Sequence, residues 1–250
     1  MRRAVVGRSL GAGLLVLAAV LPAAGQGAAT TAAPSTPQIL EAFARASTGN
    51  VADAVDEATG QRGFMSPDMK PVFTAKVAGP AVTVLMRRRL LTDEREYPNL
   101  QIQALDEAAP GSVIVEVLED GLDIAGVGNL MATAAKVRGV AAMVIDGGAR
   151  DAEEIEAIGF PVWSRSLTPA TSVGRYVPVA KNVPVVCGGI AVRPGDWIVG
   201  DRTGVVVVPV EALPRVLDLL RQYDEKETKM VPLIRETKSM GKALEKYNRY

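Results

Sequence analysis

Val140-Ala141-Ala142-Met143-Val144-Ile145-Asp146-Gly147-Gly148-Ala149-Arg150-Asp151 is an apolar run that ends in a glycine bend and sets a guanidinium beside a carboxylate. Val140 to Ile145 reads as a buried strand, and the residues after Asp151 read as an acidic helix start. A strand end followed by a loop is where α/β folds place their chemistry. An adjacent Arg and Asp can divide two tasks there, the Arg gripping a substrate anion bidentately and the Asp holding a divalent metal. The plainer alternative is an Asp cap on the following helix with a structural ion pair.

Working outward, Gly126-Val127-Gly128-Asn129 leads into a helix from Leu130 to Arg138, which Gly139 ends. The free N–H groups at such a glycine-rich entry suit a carboxylate or phosphate, although the same pattern also serves capping alone. One helix and one strand separate this loop from Arg150-Asp151, a unit that commonly brings a helix start near the next strand's end. Upstream, Val113 to Leu118 is strand, Pro98 to Ala108 is helix, and Phe73 to Leu85 is strand-rich with a bulge or strand switch at Gly79-Pro80. Helices are expected from Pro37 and from Thr48, the second with Asn50 as N-cap. Downstream, strands are expected at Phe160 to Ser164, Val183 to Val186, Trp197 to Val199 and Gly204 to Val208. Leu213, Val216, Leu217, Leu220 and Tyr223 then mark an amphipathic helix. Beyond Asp224 charge rises, Pro232 and Gly241 interrupt, and a second surface helix or a partner contact is expected. This mixed order argues one compact α/β domain and not a doubly wound sheet.

Composition narrows the chemistry. The chain of 250 residues carries 28 basic and 28 acidic side chains, which gives no electrostatic case for nucleic acid. It has no histidine, so His-dependent triads and imidazole zinc sites are excluded, and acid–base work falls to carboxylates, Lys, Tyr or metal-bound water. The single cysteine, Cys187, reads as a small buried hydrophobe. Arg2, Arg3 and Arg8, an apolar core from Leu10 to Leu21 and small residues after Pro22 fit a secretory signal peptide over 1–28, with a tether over 29–37. The expected mature protein is exported, periplasmic or secreted, without a stable membrane anchor.

Asn129, twenty intervening residues and then Arg150-Asp151 resembles the signature of the class II 4-hydroxy-4-methyl-2-oxoglutarate aldolases, relatives of the RraA-like ribonuclease regulators. Asn50-Val-Ala-Asp-Ala, Val77-Ala-Gly-Pro-Ala-Val-Thr-Val, Phe160-Pro-Val-Trp, Val183-Pro-Val-Val-Cys-Gly-Gly and Gly200-Asp-Arg-Thr-Gly resemble further family blocks in family order, from about residue 38 to 225. The resemblance implies a compact αββα-type sandwich with a swivelling β/β/α-like core over 38–225, followed by a charged helical extension over 226–250. It implies a homotrimer with sites between subunits, and a Mg²⁺- or Mn²⁺-dependent lyase that releases pyruvate from a small 2-oxo acid. By position, Arg150 would bind the keto oxygen and stabilise the enolate, and Asp151 would be the metal ligand. The turn at Gly128, with the backbone N–H groups of Leu130 and Met131, would hold the substrate carboxylate. Asn129 stands where the family carries a second metal-associated carboxylate, and it brings no charge. The alternative within the family is a non-catalytic regulatory protein or a degenerate scaffold, although the regulators generally lack the Asp after the Arg. A methyltransferase activity finds no support, for want of a nucleotide-binding glycine motif after a first strand. The remaining carboxylates, Asp53, Glu57, Glu116, Glu119, Asp120 and Asp123, could supply an acid–base group or a replacement metal ligand, but each alone reads first as a solvated or capping charge. Asp146 is expected to brace its turn, and Asp196 and Asp201 to fit turn roles.

Overall fold

The apolar runs become strands of one curved sheet. In chain order these are β1 (Lys70–Pro71), β2 (Val77–Arg88), β3 (Val113–Leu118), β4 (Ala125–Val127), β5 (Ala142–Ala149), β6 (Val162–Leu167), β7 (Tyr176–Lys181), β8 (Val185–Cys187), β9 (Ile190–Val192), β10 (Trp197–Gly200) and β11 (Val205–Val208). The structure is a computed structural model that describes residues 35–248, so the expected signal peptide lies outside the described residues. The sheet order is β1-β6-β5-β3-β2-β10-β11, with β4 added to β5 and β7 to β2, while β8 and β9 form a separate hairpin.

Its centre is parallel, β2 beside β3, β3 beside β5 and β5 beside β6, as strands buried on both faces allow. Strand β2 changes partner along its length, as Gly79-Pro80 suggested. Val77 to Pro80 pair antiparallel with β10, and Ala81 to Met86 pair parallel with β3. Trp163 of β6 reaches across the curl, its indole N–H donating to the Asp201 carbonyl just past β10 at 2.9 Å. That contact brings distant parts of the sheet together, so the sheet is nearly closed.

Seven helices cover it among the described residues: α1 (Thr36–Arg45), α2 (Thr48–Thr59), α3 (Leu100–Glu107), α4 (Asn129–Val137), α5 (Ala152–Ile158), α6 (Leu213–Thr237) and α7 (Met240–Tyr247). Three apolar cores result. Helices α3, α4 and α5 pack on one face of the parallel strands through Leu105, Ala132, Ala135 and Ile155. The inside of the curl is filled by Val113, Val115, Val144, Trp163 and Ile198. Helices α1, α2 and α6 cover β10 and β11, where Phe43 meets Trp197 at 5.8 Å between ring centroids. The α/β sandwich with a β-rich core is the expected fold class.

Several local expectations are corrected. Helix α2 is capped by Ser47, whose hydroxyl accepts from the Asn50 N–H at 3.1 Å, so Asn50 is the capped residue and not the cap. Strand β2 begins at Val77 and not at Phe73. Pro232 does not interrupt the C-terminal helix, because α6 runs through it. Pro232 and Thr228, one turn earlier, are both exposed, so water can satisfy the carbonyl that proline leaves without a donor.

Candidate functional site

Strand β4 joins the two loops singled out from the sequence. It pairs with the end of β5 through Ala125–Gly148 and Val127–Ala149, and the Arg150 N–H donates to the Val127 carbonyl at 3.0 Å. Gly128 and Asn129, which open α4, therefore stand directly against Arg150 and Asp151. A side chain at position 128 would meet Asp151 Oδ2 at 2.7 Å and Arg150 Nε at 2.9 Å, so this approach needs glycine.

Asp151 occupies the N-cap position of α5 in a left-handed conformation (φ 56°, ψ 45°), yet its side chain makes no cap hydrogen bond to that helix. Instead Oδ2 accepts the Asn129 N–H at 3.0 Å across the gap between loops. The simple capping alternative is thereby set aside at this residue. Arg150 Nε lies 3.7 Å from the same oxygen, and the two side chains are 41% and 38% exposed. Next along α4, the N–H groups of Leu130 and Met131 make no protein hydrogen bond among the described residues. They point the positive end of a helix dipole at the space beside Arg150. The Asn129 side-chain amide oxygen, Oδ1, accepts from the Thr133 hydroxyl one turn along at 3.2 Å.

Arg150, Asp151, Gly128, Asn129, Leu130 and Met131 thus converge. What they form is an open shelf. The cavity at the ends of β3 and β5, of about 650 Å³, is lined by Leu118, Glu119, Asp123, Asp146 and Arg165 instead. Leu130 is 84% exposed, and Leu167, paired with Ala149, is 62% exposed, so apolar side chains stand in the open beside the shelf.

Other charges land differently. Asp146 does not brace its own turn. Its Oδ2 accepts the Gly188 N–H at 2.7 Å from a distant loop, and its Oδ1 meets Arg165 at 2.9 Å, which also pairs with Asp68. Asp196 does take a turn role, accepting from the Arg193 N–H at 2.8 Å. Asp201 accepts the Thr203 N–H in its turn and also both the N–H and hydroxyl of Thr48. Glu119 pairs with Arg87, and Glu57 with Arg215 and Tyr223. Cys187 is buried as expected, and burial pushes its thiol up.

Glu116 is the larger correction. It is neither solvated nor a cap: it is fully buried, and burial pushes it up to about 8, only partly offset by the Gln101 amide. Its position was visible in the sequence, because it falls inside the unbroken apolar strand Val113-Ile-Val-Glu-Val-Leu. Alternation along β3 puts it between Ile114 and Leu118 on the helix-covered face.

Among the described residues no group of three or more His, Cys, Asp or Glu side chains is arranged to hold a metal ion. A hard, water-rich Mg²⁺ or Mn²⁺ needs fewer, one or two carboxylates plus substrate oxygens. Asp151 fits that minimum, since its Oδ1 makes no hydrogen bond among the described residues and glycine at 128 keeps the approach clear.

Comparison with known proteins follows the same lines. An uncharacterized protein of Methanocaldococcus jannaschii is 38% identical over 131 residues, 52% of this chain, and the chain spans 62% of that relative's length. A protein of Halalkalibacterium halodurans, whose name is that of a proposed 4-hydroxy-4-methyl-2-oxoglutarate aldolase, is 36% identical over 64% of this chain and 70% of its own. Among solved structures, RraAS2 of Streptomyces coelicolor, described as an unusual member of the RNase ES inhibitor RraA family, superposes with a TM-score of 0.69. It is 28% identical and covers 80% of this chain and 98% of its own. The sequence pattern of the RraA-like family (Aldolase/RraA) matches residues 48–207, most of the chain, and the protein belongs to that family.

Proposed function

We propose that this chain is a divalent-metal-dependent lyase that releases pyruvate from a small 2-oxo acid, by oxaloacetate decarboxylation or aldol cleavage of the 4-hydroxy-4-methyl-2-oxoglutarate type. The observation that carries the reading is the turn of Asp151 away from its own helix, toward Arg150 and the start of α4. The N–H groups of Leu130 and Met131 bind the substrate carboxylate. Arg150 then faces the keto oxygen, where its guanidinium stabilises the negative charge that grows as the carbon–carbon bond breaks. Asp151 would hold Mg²⁺ or Mn²⁺, which when bound would supply further positive charge to stabilise the developing enolate. Both reactions leave the enolate of pyruvate, so one cationic cradle serves both. The open shelf and the exposed Leu130 and Leu167 support a site completed between subunits of a homotrimer. A neighbouring copy would exclude water and could bring the acid–base group this chain lacks at position 129.

The test is pyruvate release from oxaloacetate with Mg²⁺, with chelator, and with Arg150→Ala. Chelation and Arg150→Ala are each expected to lower the rate by about 100-fold or more. Equal rates in all three reject the enzyme. A second reading, a regulatory binding protein, is favoured by one observation: the residue whose N–H meets Asp151 is Asn129, whose side chain brings no charge. That reading expects no turnover under any of the three conditions.

A further inference from the structure

Glu116 takes no part in the chemistry above, yet it touches the machinery that presents the substrate-binding amides. We propose that Glu116 is a positioning residue: with Gln101 it fixes Gly126, and through β4 it sets the height of the Gly128–Met131 turn over Arg150 and Asp151. This rests on the lyase reading for its effect on turnover, but not for its effect on β4.

The contacts run in sequence. Gln101, in the first turn of α3, gives one amide nitrogen to two acceptors, Glu116 Oε2 at 2.8 Å and the Gly126 carbonyl at 2.9 Å. On the other side of the carboxyl, Oε1 lies so close to Gly126 that a Cβ there would sit 2.3 Å away. Gly126 is thus held at its carbonyl by the Gln101 amide, with the Glu116 carboxyl packed where a side chain would stand. β4 has only three residues: it pairs with β5 on one edge, and on the other Ala125 exchanges backbone bonds with Ala170 and Ser172, while the register with β5 shifts between Ala125 and Val127, at Gly126, where the Gln101 bond falls. Two residues on, Gly128 faces Arg150 and Asp151, and Asn129 donates to Asp151. A shift at Gly126 therefore reaches the amides directly.

Among the described residues Glu116 Oε1 is buried and has no hydrogen-bond partner, a cost that a purely structural position would avoid with Leu or Val. Gln101 from α3 and Gly126 from β4 face it, Leu118 from β3 and Ile145 from β5 close around Gly126 beside it, and its shift carries no contribution from a neighbouring charge. The acid is accordingly neutral at pH 7. Its ionisation would place an uncompensated anion directly beneath the strand that presents the anion-binding amides.

The experiment compares Glu116→Gln and Glu116→Leu with the unaltered protein, using amide hydrogen exchange over 125–131 and oxaloacetate kinetics from pH 6 to 9.5. Glu116→Leu removes one of the two acceptors that hold the Gln101 amide in place. It is expected to accelerate exchange at Val127 to Met131 about tenfold relative to β10 and β11, and to raise KM for oxaloacetate about tenfold with kcat within threefold. The unaltered protein is expected to lose protection over the same residues between pH 7 and 9, after correction for intrinsic exchange. Glu116→Gln keeps the neutral shape and should hold that protection flat. Matching pH profiles in the unaltered and Gln proteins overturn the proposal, even where the Leu variant does not fold. If oxaloacetate is not turned over at all, the lyase reading fails while the exchange arm still decides the role of Glu116.

Discussion

Glu116 couples stability to pH as well as position. The acid is neutral in the fold up to about pH 8, whereas unfolded it ionises near 4.5. Its contribution is therefore complete below pH 4.5 and is lost as pH rises toward 8, by as much as about 5 kcal/mol. Glu116→Gln should match the parent in thermal midpoint near pH 4.5 and exceed it increasingly up to pH 8, a difference that calorimetry across pH reads directly. Gly128→Ala tests the shelf. The atoms its Cβ would meet belong to the flexible side chains of Arg150 and Asp151, so the fold should persist while both groups swing away. The expected result is a loss of turnover of about 100-fold with little change in melting. Asn129→Asp should do the reverse, restoring a charge beside Asp151. Retro-aldol cleavage must first deprotonate a hydroxyl and decarboxylation need not, so the gain should fall mainly on cleavage, by roughly tenfold. A parent enzyme faster in aldol cleavage than in decarboxylation would contradict this account. Arg150, Asp151 and Asn129 were legible because spacing alone brings them to adjoining loops. Glu116 was not, because a lone carboxylate was weighed by residue type and not by the apolar strand around it.

Elements were legible where one period dominated. The apolar runs that became β3, β5, β10 and β11 carry the pattern of buried strands, and the spacing of Leu213 to Tyr223 is helical throughout. Strand β7 escaped notice because Tyr176–Lys181 is mostly half-buried, contains Pro178 and lies against the far half of β2. Helix α6 outran its expected end because Pro232 sits on its exposed side, where the missing donor costs less. Its anchoring lies earlier, at Val216, Leu219 and Leu220 against α2 and the antiparallel strands. Leu219→Ala should cost about 3 kcal/mol in denaturant unfolding, whereas Pro232→Ala should leave global stability unchanged or slightly higher. A large loss from Pro232→Ala would show that the proline is needed for α7 to pack back on α6, where Lys226 reaches the Asn248 carbonyl.

At the scale of the whole molecule, the blocks in family order made the fold legible, since the first falls in helix α2 and the others quoted fall on strands or turns of the β-structure. Assembly is a different matter: a subunit contact depends on surface shape, which periodicity does not encode. The homotrimer proposal predicts three times the monomer mass by light scattering at micromolar concentration, and Val137→Glu, an 83% exposed apolar position on α4, should lower it. A monomer at all concentrations sinks it. Among the described residues no helix is long and apolar enough to cross a membrane. Export remains our proposal from residues 1–28, and N-terminal sequencing of secreted material, beginning near residue 29, checks it.

The two tryptophans have a practical consequence. Trp163 fills the inside of the curl and Trp197 stacks near Phe43 beneath the outer helices, both buried and both away from the shelf. Their ultraviolet emission is thus a pair of built-in lamps for two separate cores, dark to whatever docks beside Arg150. A ligand that quenches or shifts that light has rearranged the sheet itself, and one that binds without a flicker has not.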